Sequence, residues 1–300
     1  MCKKEGERMI ACVGNPVYDY IETPYSKTKN RILSGCSTNA CIVMEKLNME
    51  TTLVGNIGSD YLDDFKKSMD ALNIEYYIKE CKVSGGFSLK YFNNGDRELK
   101  ILGIADKIDN FPQKILKFKV ILLAPVLQEI NFDLIELREK FNGTLFLDPQ
   151  GFLRYVEHGK VSRKKNPKIE EIVGMCEIVK PNEYEAEVMT GFNARKDCEK
   201  ALETLYSWGC KIAIITLAEK GSVIFDGDEF IKIPAYKTKA IDPTGAGDTY
   251  AGGFIFEYLN KKDLYETGLF ASCTASIMIE NMGKIPVTEE EVRKRVRTLE

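Results

Sequence analysis

Asp242-Pro-Thr-Gly-Ala-Gly-Asp-Thr-Tyr-Ala-Gly-Gly-Phe254 sets a glycine turn, a carboxylate and the start of a helix side by side. Gly245, Ala246 and Gly247 crowd little around their own amides, so several N–H groups can turn toward one negatively charged group. Thr249, Tyr250, Ala251, Phe254 and Ile255 follow at helical spacing. That puts the turn at a helix N-terminus, where unpaired donors and the macrodipole favour an anion. Asp248 is out of place beside an anion unless it has a chemical task, such as accepting a proton. The stretch therefore predicts phosphoryl transfer. It lacks the Gly-Lys-Ser/Thr ending of a Walker A loop and the spacing of a dinucleotide turn. A tight helix entry with no ligand would also use Gly245 and Gly247, and that reading stands beside the first. Gly252 and Gly253 lie inside the helix, where each costs about 1 kcal/mol relative to alanine. Something must approach the backbone closely there.

Working outward, the residues before the loop alternate short apolar runs with longer amphipathic ones. Strands are predicted over 120–123, 143–147, 178–179 and 211–217, with helices over 133–140, 167–175, 183–190 and 194–208. Short strand, polar turn, longer helix is the pattern of a doubly wound α/β fold with a mostly parallel sheet. An antiparallel pair, 222–225 and 229–233, leads into the glycine loop at the sheet edge. Three helices follow, over 247–259, 263–280 and 288–298.

The N-terminal third reads differently. A strand over 9–13 is followed by short strands with a turn over 18–33. A helix spans 38–47, capped by Ser37 or Thr38. Then come a strand over 50–54, a Gly-rich turn and a helix over 61–72. Residues 86–105 alternate in polarity around Asn93-Asn94-Gly95-Asp96, a hairpin signature. Together with 18–33 they predict a small sheet outside the main body, a lid; an edge extension of the central sheet is the alternative. The expected organisation is one domain over 1–300, with a lid from about 16–35 and 84–105.

Composition narrows the function. Charged residues make up 29% of the chain, the net charge is −3, and the two signs are interspersed. No basic stripe points to nucleic acid. The apolar runs at 120–123 and 212–217 are far too short to cross a bilayer. Residues 1–8 are too polar for a secretory signal, so a cytoplasmic protein is expected. The nine cysteines contain no CxxC pair, and His158 is the single histidine. This excludes a zinc site or a disulfide scaffold and predicts buried thiols of a reducing compartment. Cys36 and Cys41 are expected to be packing thiols.

Further clusters carry chemistry. In Lys180-Pro-Asn-Glu-Tyr-Glu185, Asn182 and Glu185 share a helix face at the C-terminal end of a strand, where α/β ligands gather. They suit outer-shell support of a hydrated Mg²⁺, and equally a capping box. Thr216-Leu-Ala-Glu-Lys-Gly221 is either a plain strand-end turn or a nucleotide contact. Asp19 after the first strand and Asn39 at the first helix have the groups to hold neighbouring hydroxyls of a polyol. Alone, both are ordinary surface and helix-start residues.

In order, Gly14-Asn-Pro-Val-Tyr-Asp19, Gly35-Cys-Ser-Thr-Asn39, Val54-Gly-Asn-Ile-Gly-Ser-Asp60, Lys180–Glu185, Ile215–Gly221 and Asp242–Phe254 resemble the ribokinase-like (PfkB) carbohydrate kinase family. The likeness runs from Gly14 to Gly283. It implies an α/β body with a small β lid over the acceptor, ATP as donor and Mg²⁺. It implies Asp248 as base and the amides of Gly245, Ala246 and Gly247 as anion hole. Asn182 and Glu185 then stand near Mg²⁺ and the phosphates, Glu185 reaching the metal through water. Thr216 and Gly221 match the nucleotide-side turn, and Asn281 and Gly283 the adenine pocket. Asp19, Gly35 and Asn39 match the acceptor site. Some relatives bind a monovalent cation beside the loop that starts at Asp242, and in relatives the lid often forms a homodimer surface. Leu147-Asp-Pro-Gln-Gly-Phe-Leu-Arg154 resembles a segment of archaeal sugar and inositol kinases, which implies Arg154 near the acceptor. Two residues depart from the family pattern: Ser34 replaces the first glycine of the acceptor pair, and Ala218 replaces a glycine of the nucleotide-side turn. The expected acceptor is a small sugar or sugar-like polyol. A nucleoside is the alternative, and a ligand-binding homologue without turnover the third reading.

Overall fold

The computed structural model describes residues 9–24, 26–92, 97–282 and 285–299. The chain opens with β1 (Met9–Val13), β2 (Val17–Glu22), β3 (Ile32–Ser34), α1 (Cys36–Lys46), β4 (Glu50–Gly58), α2 (Leu62–Leu72) and β5 (Glu75–Cys81). It continues through β6 (Gly85–Tyr91), β7 (Arg97–Gly103), β8 (Val120–Leu123), α3 (Leu134–Lys140), β9 (Thr144–Leu147), α4 (Gln150–Leu153), β10 (Arg154–Glu157) and β11 (Lys160–Arg163). Then follow α5 (Ile169–Gly174), β12 (Ile178–Val179), α6 (Glu183–Thr190), α7 (Cys198–Ser207) and β13 (Ile212–Thr216). β14 (Ser222–Phe225), β15 (Phe230–Ile233), α8 (Ala246–Leu259), α9 (Leu264–Ile279) and α10 (Glu289–Val296) complete it.

Nine strands form the central sheet in the order β15-β14-β13-β12-β9-β8-β1-β4-β5. β13 to β5 pair in parallel, and β14 and β15 add antiparallel at one edge. From β1 the chain winds first toward β5 and later toward β15, so the order reverses between β1 and β8. Clefts outside the carboxyl ends of strands at such a reversal are where α/β folds gather ligands. The inner strands are apolar throughout because both faces are covered. In β1, Ile10 and Cys12 join the core shared with α1, α8 and α9, while Ala11 and Val13 join the core shared with α3, α5, α6 and α7. The predicted helix starts are side-chain caps: Asp133, Asp263 and Thr288 each accept a backbone amide of the following turn.

A separate four-stranded sheet, β3-β2-β6-β7, is the predicted lid. Its residues Ile21, Phe87, Leu89 and Tyr91 are buried on one face, and Tyr18 on the other face packs against Tyr61. The edge-extension alternative is not adopted. The expected turn residues 93–96 lie outside the described residues.

Three local expectations change. First, β4 runs to Gly58 instead of ending at residue 54, and pairs along its length with β5, which periodicity did not mark. Its glycines signal close backbone approach, not a turn: a Cβ on Gly55 would sit 2.6 Å from the Gly14 oxygen, and one on Gly58 2.1 Å from the Ser84 nitrogen. Second, α1 has no side-chain cap. It starts at Gly35 (φ +117°), and the Ser37 hydroxyl donates instead to the Gly14 carbonyl (2.9 Å). Third, the hairpin β10–β11 was not foreseen, since its residues are too polar to show a buried face.

Candidate active site

α8 begins at Gly245, whose φ of +79° lies in the left-handed region that favours glycine. A Cβ there would come 3.0 Å from Asn39 Nδ2. No side chain caps this helix. Among the described residues the Ala246 amide reaches the Pro243 carbonyl at 3.3 Å, while the amides of Gly245 and Gly247 meet no acceptor. One turn holds both the donors and the carboxylate: Asn39 Nδ2, on the first turn of α1, donates to Asp248 Oδ2 at 2.9 Å. Two helix N-termini thus meet at one half-buried carboxylate.

The second glycine pair has another purpose than a ligand. A Cβ on Gly252 would lie 3.0 Å from Val43 and 3.1 Å from the Ala40 carbonyl. One on Gly253 would lie 2.7 Å from Thr274 Oγ1 and 3.2 Å from Ala271 Cα. These positions let α8 pack between α1 and α9, which is what holds Asp248 against Asn39.

Loss of water raises the Asp248 pKa above the ordinary aspartate value. The Asp148 charge pushes the same way, while Asn39, Lys180 and the Cys36 thiol oppose it. Asp148 and Lys180 were not predicted as site residues. They follow the apolar strands β9 and β12 directly and form an ion pair of 2.9 Å with side chains 6% and 2% exposed. A charged residue at the carboxyl end of each of two buried strands is the signal that would have found them. Burial works against the Lys180 charge, yet Asp148, Glu185 and Asp248 hold its pKa above the usual lysine value. Cys36 is a neutral thiol, raised by burial and then by Asp248 and Asp148. It packs at the site, bonded to Asp248 and to Gln150.

On the acceptor side, Asp19 is buried on β2, and Gly35 precedes α1 beneath the lid. Arg154 is buried as well. One of its guanidinium nitrogens donates to the Val126 carbonyl at 3.4 Å, bracing the loop after β8, and its charge is felt at Cys36 and Glu185. Glu129 supports the same loop, accepting the amides of Asn15, Val126 and Leu127. The lid reaches the glycine loop directly, through Tyr91 Oη and Thr244 Oγ1 at 2.7 Å. A groove of ≈ 720 Å³ opens beside Asn39, bounded by Leu33, Ser34, Asp242 and Thr244.

On the other side, the capping box is realised. The Asn182 side-chain oxygen accepts the amides of Tyr184 and Glu185, and Glu185 Oε2 accepts that of Asn182. Both lone pairs of the Asn182 oxygen are therefore taken, and the side chain offers only donors beyond its cap. Thr216 lies beside Asn182 in a parallel bridge, its amide on the Pro181 carbonyl. Arg195 joins Glu183 of α6 to Glu219 of the adjoining turn. Gly221 is required there: a Cβ would stand 2.0 Å from the Ile233 carbonyl. Ala218 adopts φ +52°, which explains why a glycine is expected at that place. The Asn281 side chain donates to the Ile277 carbonyl at the end of α9, whose Ile279 carbonyl accepts the amides of Ile241 and Asp242. Gly283 lies outside the described residues. Among those described, no three His, Cys, Asp or Glu side chains are grouped to hold a metal directly, and no helix is long and apolar enough to cross a membrane.

With this geometry in view, the sequence profile of the pfkB family carbohydrate kinases matches residues 7–291. The chain belongs to that family. It is similar to a cytidine kinase of Thermococcus kodakarensis, 30% identical over 242 residues that cover 78% of this chain and 81% of the relative. It is 27% identical to a nucleoside kinase of Methanothermobacter thermautotrophicus over 96% of each chain. A pyrophosphate-dependent kinase in the ribokinase family, solved as a sulfate complex, shares the fold with a TM-score of 0.80 and 21% identity, over 95% of this chain and 99% of that one. As a member of this family, the protein is a kinase-type phosphotransferase that acts on a hydroxyl of a sugar-like molecule.

Proposed function

We propose that this kinase transfers the γ-phosphoryl group of ATP to a ribose hydroxyl of a nucleoside, with Asp248 as the base. The observation that carries this reading is the Asn39–Asp248 hydrogen bond beside the unclaimed amides of Gly245 and Gly247. The acceptor hydroxyl lies within hydrogen-bond reach of Asp248, about 2.6–3.2 Å, and gives up its proton as it attacks. Asn39 fixes the carboxylate, and its bond is made to the ionised form. The amides of Gly245, Ala246 and Gly247 stabilise charge on the transferred group, that of Ala246 releasing its long bond to Pro243. Asp19, Gly35 and Asn39 hold the sugar, and the lid, latched at Tyr91 and Thr244, excludes water from the reacting centre.

Glu185, buried on the first turn of α6, offers a hard oxygen donor suited to the hydration shell of a divalent cation. Glu185 would hold Mg²⁺ through water, where the ion supplies positive charge to the phosphates. Thr216, Gly221, Asn281 and Gly283 are assigned to the nucleotide side. Asp242, wholly buried and accepting the Thr244 amide at 2.9 Å, would be the residue to hold a monovalent cation near the loop. Arg154 acts on the acceptor loop from behind.

The nucleoside is favoured over a free sugar because the two relatives described above carry those names across most of their length. ADP release from purified protein, measured with cytidine, adenosine, inosine, ribose, deoxyribose, fructose and myo-inositol, separates the acceptors. Cytidine or another nucleoside should give the highest kcat/KM; a higher value for ribose or fructose would restore the sugar reading. Ligand binding with no ADP from any acceptor would leave a non-catalytic homologue. Replacing ATP with pyrophosphate in the same assay tests the donor. Tyr20, Leu102 and Ile104 are exposed on the lid or at its edge, which supports a homodimer through the lid. Light scattering at twice the 34.0 kDa chain mass is the expected result.

A further inference from the structure

Lys180 combines three features that the mechanism above does not use. Its side chain is 2% exposed, it pairs with Asp148 at 2.9 Å, and it touches the glycine loop. A Cβ built on Gly247 would stand 3.4 Å from Lys180 Nζ, and among the described residues no other heavy atom outside its neighbours and own helix lies within 4 Å. The ammonium therefore lies against the same first turn of α8 that carries Asp248. As a device for holding the fold such a pair is poor, because the desolvation of two charges offsets most of their attraction, and apolar side chains of similar volume generally do as well. The loop supplies a better reason. A phosphoryl group bound there meets three carboxylates, Asp248, Asp148 and Glu185, and needs a fixed positive charge at close range.

We infer that Lys180 is a catalytic residue of the transfer, its ammonium contacting a terminal oxygen of the moving phosphoryl group, and that Asp148 is the residue that positions it. This rests on the kinase reading. The bond between the γ-phosphorus and the bridging oxygen of ADP breaks, a bond to the acceptor oxygen forms, and the acceptor proton goes to Asp248. Lys180 keeps its proton throughout, its ammonium paired to Asp148 at 2.9 Å. Asp248 is faced by Asp148 and Lys180 from the ends of β9 and β12, and by Asn39 and Cys36 from α1. Glu185 of α6 faces Lys180, and Arg154 contributes more remotely. Lys180 and Asp148 thus push the titration of the base in opposite directions.

The test compares Lys180→Met, Asp148→Asn and the double variant with wild type. The double variant removes both charges and leaves neither buried alone. Wild type must first release ADP with an acceptor; its failure to do so sinks the kinase reading itself and this inference with it. Given that activity, the folded double variant should lose about 10²–10³-fold in kcat with acceptor KM within about threefold. Affinity for AMP-PNP should fall at least about tenfold while affinity for ADP stays within about threefold, since only the former carries the terminal group. The acid limb of the kcat profile should move up in Lys180→Met and down in Asp148→Asn. A double variant with wild-type kcat and an unchanged ratio of AMP-PNP to ADP affinity would show the pair to be structural only. Should that variant not fold, Asp148→Asn alone carries the test, with the same split expected at smaller size and its absence overturning the proposal.

Discussion

α6 and α8 both begin near the carboxyl edge of the central sheet, and they treat their first turns in opposite ways. α6 satisfies itself: Asn182 and Glu185 exchange hydrogen bonds with each other's backbone and close the turn. α8 starts on a left-handed glycine with no side-chain cap and leaves amides free, next to a carboxylate whose ionised form the surroundings disfavour. By the rules of local stability α6 is the better start. The physical lesson is that donors already claimed by the chain have nothing to offer a ligand, whereas donors held ready without a partner do.

Replacing Asp248 with Asn tests the strongest form of that contrast. kcat should fall about 10³-fold, while the melting temperature at neutral pH holds or rises. The sign follows from the raised native pKa. Above that pKa the wild type carries a carboxylate that the fold disfavours, so the variant gains there. As pH falls through the native pKa toward the ordinary aspartate value, wild-type Asp248 takes up its proton and the gain disappears. Thermal melts at several pH values, beside single-turnover rates, measure both arms. A variant equally unstable at every pH would break the link between strain and function.

Gly245→Ala should lower kcat about 10²-fold and destabilise by about 1 kcal/mol, because a Cβ meets Asn39 Nδ2 and the left-handed φ is lost to strain. Gly253→Val moves the test into the body of α8. Overpacking against Thr274 and Ala271 should cost about 2 kcal/mol in denaturant unfolding, and the shift of α8 should lower kcat less than Gly245→Ala does. Asn182→Ala at the other helix should cost about 1 kcal/mol through the lost cap, with kcat changed less than tenfold. A larger loss of rate than of stability would assign Asn182 to the chemistry and blur the contrast between the two helices. The smallest effect is expected for Ala218→Gly, a gain of about 0.5 kcal/mol or less. Relief of the left-handed strain is partly offset by the freer unfolded chain.

The two regions also differ in how readable they were. The α/β order, the lid hairpin, the edge pair β14–β15 and the loop with Asp248 were legible because each rests on local periodicity or on glycine spacing. β5 was missed because its apolar residues Tyr76, Tyr77 and Ile78 are consecutive and flanked by charges, so its sequence shows no alternation of polarity. Gly55 and Gly58 were misread as a turn because a close neighbour in space leaves the same mark as a bend in the chain. Gly252 and Gly253 were correctly read as places of close approach, but the neighbour is helix, not ligand. Lys180 stood in a recognised motif with no task assigned, and Asp148 stood in another.

The residue order alone determined that a glycine turn would open a helix, that an aspartate would stand in its first turn, and that buried strands would alternate with amphipathic helices. These are consequences of steric freedom and of spacing along one chain. Only the tertiary structure decided which groups meet Asp248: Asn39 from a helix 209 positions away in sequence, and the paired Asp148 and Lys180 from the ends of adjacent strands. Proton affinity and charge balance at a site depend on distances through space and on the water excluded between elements. Neither quantity is written in the order of residues.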